Sequence, residues 1–351
     1  MKQISVKQLA FSFAGMFLGA GFVSGQELWQ FFACFGPIGL LGFLGTAALF
    51  FYINYATLRL VQVTGCEDMG RIMIPGEHPR LRSVVSTMQC LLLFGVSVIM
   101  IAGASTLLHQ LTGLAPWLGG LLFIAAVSLV SLMGLHGLIA TFSLLVPVTT
   151  VCALFLVAVT LIKDGFHFSP ANGSVSALVP NWIVGIFTYA AYNLFSGISV
   201  LVPLARLIPD DKTLRRGLGA GSILLIVFAW SIIAALAVQP AAGANDLPMA
   251  VLAGALHPAL EAGYGLLMGF GMFSACLSST TAAVNQIAVR HPRVDLRRKG
   301  FTAALLVSAY LLSLLGFGNL IGVIYPVFGY ASVPFLISLV CNWRQTKKAS
   351  V

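Results

Sequence analysis

Glu27 lies inside an apolar run, and of the 10 Asp and Glu residues it is the one so placed; the others fall in loops or at helix ends. Carrying a carboxylate into lipid costs at least about 2.5 kcal/mol on insertion scales, so a functional role is the default expectation. Three chemistries suit it: proton carrier, counter-ion to a cationic group on a solute, or indirect ligand of a cation. A structural role is also open. Ser24 and Glu27 have the S-x-x-E spacing of a capping box, so Glu27 could cap a helix that begins after a break. The two roles are compatible.

A break is expected just before it. Gly19-Ala20-Gly21-Phe22-Val23-Ser24-Gly25-Gln26-Glu27 puts three glycines and a polar cluster at mid-membrane depth. Each glycine weakens a continuous helix by roughly 1 kcal/mol. An unwound segment exposes carbonyls that can face a cation and a helix N-terminus that can face an anion. The alternative is close helix packing, for which membrane helices also use glycine. A second polar group, Tyr189, Tyr192, Asn193, Ser196, Gly197 and Ser199, recurs at similar depth in the sixth apolar run. Paired interruptions in two halves of a chain point to a midplane binding site. A third, Ser278-Ser279-Thr280-Thr281, offers hard oxygen ligands, although such hydroxyls often bond the carbonyl one turn earlier.

The elements that position these residues follow from composition. The chain has 351 residues, 59% apolar and 8% charged, which no soluble class fits. A bilayer core needs about 20 apolar residues per helical crossing. Runs of that length fall at 7–34, 37–63, 83–109, 116–135, 138–162, 180–205, 216–239, 260–289, 300–317 and 319–341, which makes an all-α membrane protein of ten spans. The break between the fourth and fifth rests on Gly134, His136 and Gly137, and that between the last two on Gly316, Gly318 and Asn319. Leu247 to His257 is too short to span and is expected to form a small outer helix.

With both termini in the cytoplasm, Lys163 is the one residue of the 19 Lys and Arg left outside, as the positive-inside rule requires. Merging either uncertain pair of spans would scatter the charges over both faces. The expected organisation is a first five-helix repeat at 1–163, an outer connection at 164–179, a second repeat at 180–342 and a cytoplasmic tail at 343–351. Five is odd, so the second unit enters from the opposite face as an inverted repeat.

At these residues the chain resembles the amino acid, polyamine and organocation superfamily with the LeuT-type five-plus-five inverted repeat, and within it the YkvI-type group of bacterial membrane proteins. The resemblance implies discontinuous first and sixth helices and a secondary active transporter of the cell inner membrane. Such a protein moves a small polar solute (an amino acid, an amine or a related organic cation) by alternating access, in symport with Na+ or H+. The implied sodium ligands are the carbonyls of Gly19 and Phe22 and the hydroxyls of Ser278 and Ser279. The implied solute pocket takes Ala20, Gly21, Ser24, Gly25, Gln26 and Glu27 from the first helix and Tyr192, Asn193, Phe195 and Ser196 from the sixth. Sodium-coupled amino acid members do not usually place an acid where Glu27 stands, which leans toward protons. Lys163 is too far along the fifth helix to replace sodium, which leans the other way. A receptor subunit that keeps this fold and binds solute without flux is the alternative.

Other classes find no support. His78, His136, His167, His257 and His291 lie at run ends or in loops and His109 at an outer end, so no enzyme and no resident cofactor is expected. The basic residues sit between apolar runs rather than along one soluble face, which argues against nucleic acid. The six cysteines are scattered and read as packing residues.

Overall fold

The computed structural model describes residues 3–66, 68–133, 138–165, 173–290, 294 and 297–349. The first apolar run folds as three short helices, α1 (Val6–Phe17), α2 (Ala20–Val23) and α3 (Gln26–Phe31), and a 3-10 turn at Ala33–Phe35. α1 opens on a capping box in which the Ser5 hydroxyl accepts from Gln8 N–H and the Gln8 side chain accepts from Ser5 N–H. Then come α4 (Ile38–Thr64), α5 (Met69–Met73), α6 (Pro79–Thr112), α7 (Pro116–Met133) and α8 (Leu138–Asp164). The second half holds α9 (Trp182–Leu201) with a 3-10 extension at Val202–Leu207, α10 (Asp211–Val238), α11 (Pro240–Gly243), α12 (Pro248–Leu256), α13 (Pro258–Arg290), α14 (Arg298–Ser313) and α15 (Phe317–Ala349). By length and composition α4, α6, α10, α13 and α15 are each long and apolar enough to cross a membrane.

Element ends carry expected signals. α4 stops at Gly65, whose φ of 68° suits the left-handed C-cap. α10 is capped by Asp210, which accepts from Thr213 N–H at 2.6 Å; that bond holds the Asp210 carboxyl below the usual carboxylate range. The chain turns between α14 and α15 at Gly316. The break expected at Gly134, His136 and Gly137 lies outside the described residues, as does much of the expected outer connection. The short helix expected at Leu247–His257 is α12, and the segment expected as a tail from 343 continues α15 in helical form.

Packing repeats between the halves. α1 lies on α10 as α9 lies on α4; α8 lies on α10 and α13 as α15 lies on α4 and α6; α7 lies on α6 and α13 as α14 lies on α13 and α6. α6 against α13 and α4 against α10 complete the set. Contacts are closest where glycine replaces a side chain: a Cβ on Gly39 would come within 2.3 Å of Phe32 O, and one on Gly185 within 2.5 Å of Phe31 O. The end of α3 is thereby clamped between α4 and α9.

One expectation is corrected. α9 winds as a regular α-helix through Tyr192, Asn193, Ser196 and Ser199, and its geometry changes only at Val202. Two of its polar side chains bond back onto their own helix, Asn193 Nδ2 to Tyr189 O and Ser196 Oγ to Asn193 O, which reinforces the helix rather than freeing its backbone.

Candidate functional site

The gaps between α1, α2 and α3 leave backbone groups that must find partners away from a regular helix. They do so by name. Leu18 N–H bonds Ala14 O, Val23 N–H bonds Gly19 O, and Gly25 N–H bonds Phe22 O. Val23 O accepts the phenol of Tyr264 from α13 at 2.7 Å, and Ser24 O accepts Met249 N–H from α12 at 3.0 Å. Gly25 sits at φ 82°, in the left-handed region that glycine enters without steric cost. Neighbouring helices thus hold the interruption in place.

α3 then presents two faces. Gln26, Trp29 and Gln30, spaced i, i+3 and i+4, line one cavity of about 440 Å³ together with Ser176, Asp246 and Gly318. Glu27 points into a different cavity, of about 410 Å³. The latter is lined by Met16, Phe17, Gly19 and Gly21 from the first segment, Met100 from α6, Tyr192, Asn193, Ser196 and Gly197 from α9, Ser278 and Ser279 from α13, and Tyr325 from α15. At its far end it meets a third, wider space through Gln89 and Gln286, with Arg71 and Arg82 beyond.

Glu27 is 5% exposed. Its Oε2 accepts two phenols of α9, Tyr192 at 2.7 Å and Tyr189 at 3.1 Å. Its Oε1 lies over Gly21, where a Cβ would stand 2.0 Å from it. The capping-box option is thereby corrected. The residue preceding α3 is Gly25, not Ser24, and the Ser24 hydroxyl instead donates to Gly21 O at 2.8 Å and accepts from Gln26 N–H at 3.3 Å. Glu27 is tied to another helix, not to its own.

The expected pocket residues divide accordingly. Gly21, Glu27, Tyr192, Asn193 and Ser196 share the cavity. Gln26 belongs to the other one, and its Oε1 is buried without a hydrogen-bond partner. Ser24 is fully buried in the turn, and Gly25 faces Met249, Leu236 and Ile232. Phe195 is fully buried against Phe335, away from the cavity. Ala20 contributes the first residue of α2. Of the expected ion ligands, Gly19, Ser278 and Ser279 reach the cavity, while the side chain of Phe22 packs against Phe43 and Phe228. Ser279 Oγ is bonded to Ser97 Oγ at 2.8 Å and to Ala275 O at 2.8 Å.

Sequence reasoning passes over Ser97 and Met100 and reads Tyr325 only as an interhelical hydrogen-bond partner or interfacial anchor. Tyr325 stacks on Tyr192 with ring centroids 4.3 Å apart and planes 5° from parallel. A tyrosine within a spanning run, away from the interfacial belt, was the available signal. Among the described residues no three His, Cys, Asp or Glu side chains gather as a metal site would require.

No protein-family model matches the sequence. The chain is 28% identical over 345 residues, 96% of each chain, to the uncharacterised membrane protein YkvI of Bacillus subtilis (strain 168). It is 23% identical over 336 residues, 93% of each, to the uncharacterised protein YyaD of the same organism. Among solved structures it superimposes on the inward-facing conformation of Mhp1 with a TM-score of 0.68 at 14% identity, covering 97% of this chain and 77% of that one. It matches MhsT in complex with L-phenylalanine with a TM-score of 0.62 at 15% identity, over the full length of both. A manganese transporter of Eremococcus coleocola follows at 0.56 and 14%, covering 95% of this chain and 78% of that one. The chain is a membrane protein with the LeuT-type fold, similar over nearly its whole length to YkvI.

Proposed function

We propose that the chain is a secondary active transporter of the cell inner membrane that moves a small polar solute by alternating access, coupled to sodium or protons. The solute class is an amino acid, an amine or a related organic cation. One observation carries this reading: α3, a helix of six residues, separates two cavities and turns Glu27 toward one and Gln26, Trp29 and Gln30 toward the other. A small rotation of so short a partition exchanges the side from which the pocket is reached.

In this reading α1 to α3 form one interrupted crossing, and α4, α6, α7, α8, α9, α10, α13, α14 and α15 supply the other nine. The paired packing of the halves supports a five-plus-five inverted repeat. The bundle of α1–α4, α9 and α10 rocks against the scaffold of α6, α7, α13 and α14. With both termini cytoplasmic, the space beyond Gln89 and Gln286 is the cytoplasmic mouth, and Arg71 and Arg82 at that mouth agree with the positive-inside rule. Coupling has two routes. A sodium ion would use Gly19 O, Phe22 O, Ser278 and Ser279; a proton would use Glu27.

Flux into proteoliposomes is the test. Uptake of an amino acid, amine or organic cation under a sodium or proton gradient is expected; solute binding with no gradient-driven flux would instead mark a sensing subunit.

A further inference from the structure

The cavity carries one charge. Among the described residues that line it, Glu27 is the sole charged side chain, with no Lys, Arg or His beside it. The titratable groups facing it are phenols: Tyr189 and Tyr192 on α9, both donating to Oε2, and Tyr325 on α15. Tyr264 of α13 stands nearby with its phenol committed to Val23 O. A solute carboxylate finds no cationic side chain on this wall, and at the start of α3 Gly25 N–H and Gln26 N–H are already bonded, to Phe22 O and Ser24 Oγ. The walls suit an organic cation. The rings of Tyr192, Tyr325 and Phe17 supply π-surface of the kind that holds ammonium groups, and Met16 and Met100 add adaptable apolar contact.

We infer that this site, on the transport reading above, carries organic monocations that lack a carboxylate and exchanges each for one proton at Glu27, in place of symport with sodium. A buried carboxylate with only two phenol donors is too costly to cross the membrane cycle alone, so Glu27 returns either with a cation or with a proton. The step balances. In the cytoplasm-facing state a monocation enters, the O–H bond of Glu27–COOH breaks with its electron pair left on the carboxylate, and the proton leaves to cytoplasmic water. On the outer side a proton is taken up and the cation departs, so one proton moves in for each cation moved out. Three of the four groups proposed for sodium already hold partners within the protein: Gly19 O and Phe22 O each accept a backbone N–H, and Ser279 is bonded to Ser97.

Two quaternary probes, tetramethylammonium and choline, test this because neither can itself gain or lose an ammonium proton. The full chain in proteoliposomes with an acidic lumen and no sodium is expected to accumulate them at least about tenfold over protein-free vesicles. In weakly buffered detergent, saturating probe is expected to release about one proton per chain to a pH indicator. Glu27→Gln should release none and lose gradient-driven uptake; Glu27→Asp, which keeps a carboxylate, should retain proton release at weakened affinity and so separates lost chemistry from lost folding. Sodium-driven uptake of L-alanine or L-phenylalanine, with no proton release on addition of either quaternary probe, would overturn the exchange and leave the transport reading standing. No gradient-driven movement of any of these four probes would overturn both.

Discussion

Tyr192 donates a 2.7 Å hydrogen bond to Glu27 while its ring lies flat on that of Tyr325, 4.3 Å away. Through this one side chain the interrupted first segment, α9 and α15 meet at a single point in the cavity. Tyr189, fully buried between Phe31 and Phe32, holds the same carboxylate oxygen from one turn away. The carboxylate is thus fixed on one oxygen and faces Gly21 with the other.

Gly21→Ala tests that placement. Its Cβ would stand 2.0 Å from Glu27 Oε1 and 2.8 Å from Cδ, so the carboxylate must move. A loss of transport of roughly tenfold or more, equal to about 1.4 kcal/mol or above, is expected from flux assays. Gly15→Ala is the control, since nothing lies within 4 Å of its Cβ and it does not line the cavity, and it should leave transport close to that of the parent chain.

Tyr192→Phe removes the shorter hydrogen bond to Glu27 and keeps the ring stacked on Tyr325. Solute affinity should fall by about 1–2 kcal/mol, roughly 5- to 30-fold, in a binding titration. Tyr189→Phe, which gives up the 3.1 Å bond, should fall by less. Equal effects would mean that the two phenols are interchangeable supports.

Tyr264→Phe leaves Val23 O without its partner inside the membrane. The expected cost is about 1–3 kcal/mol of stability, the penalty of an unsatisfied buried acceptor. Thermal unfolding in detergent should show the variant melting several degrees lower. An unchanged melting temperature would show that another group satisfies that carbonyl.

Ser97→Ala and Ser279→Ala remove opposite sides of one hydroxyl pair between α6 and α13. A double-mutant cycle should return a coupling energy of about 0.5–2 kcal/mol, in line with hydrogen bonds between membrane helices. Ser278→Ala, on the cavity side of the same helix, should leave stability close to that of the parent chain, as read by the same melts.

Much of this arrangement was legible in the sequence. The apolar runs give the spanning helices because lipid leaves the backbone no other partner, and Glu27 stands out because charge in such a run is expensive. Gly21 and Gly25 mark the interruption for separate reasons, one by closeness to Glu27 and the other by its left-handed backbone. Other features were not legible. Ser24 and Glu27 have capping-box spacing, yet Tyr189 and Tyr192, more than 160 positions away, claim the carboxylate instead. Asn193 and Ser196 read as helix-breaking polarity, but their side chains bond back to their own helix. Ser97 has no local signature, and Tyr325 has only its place as a tyrosine inside a spanning run, because what makes both matter is a partner in another helix.

Cysteine accessibility tests the central claim, that one pocket is reached from either side in turn, most directly. In a cysteine-free background, Ser196→Cys places a thiol in the Glu27 cavity and Gln26→Cys one in the cavity across α3. Membrane-impermeant reagent should label the first from the cytoplasmic side and the second from the outer side, and adding transported solute should change both rates in opposite directions. Labelling of both from the same side, or rates that solute leaves unchanged, would contradict the account.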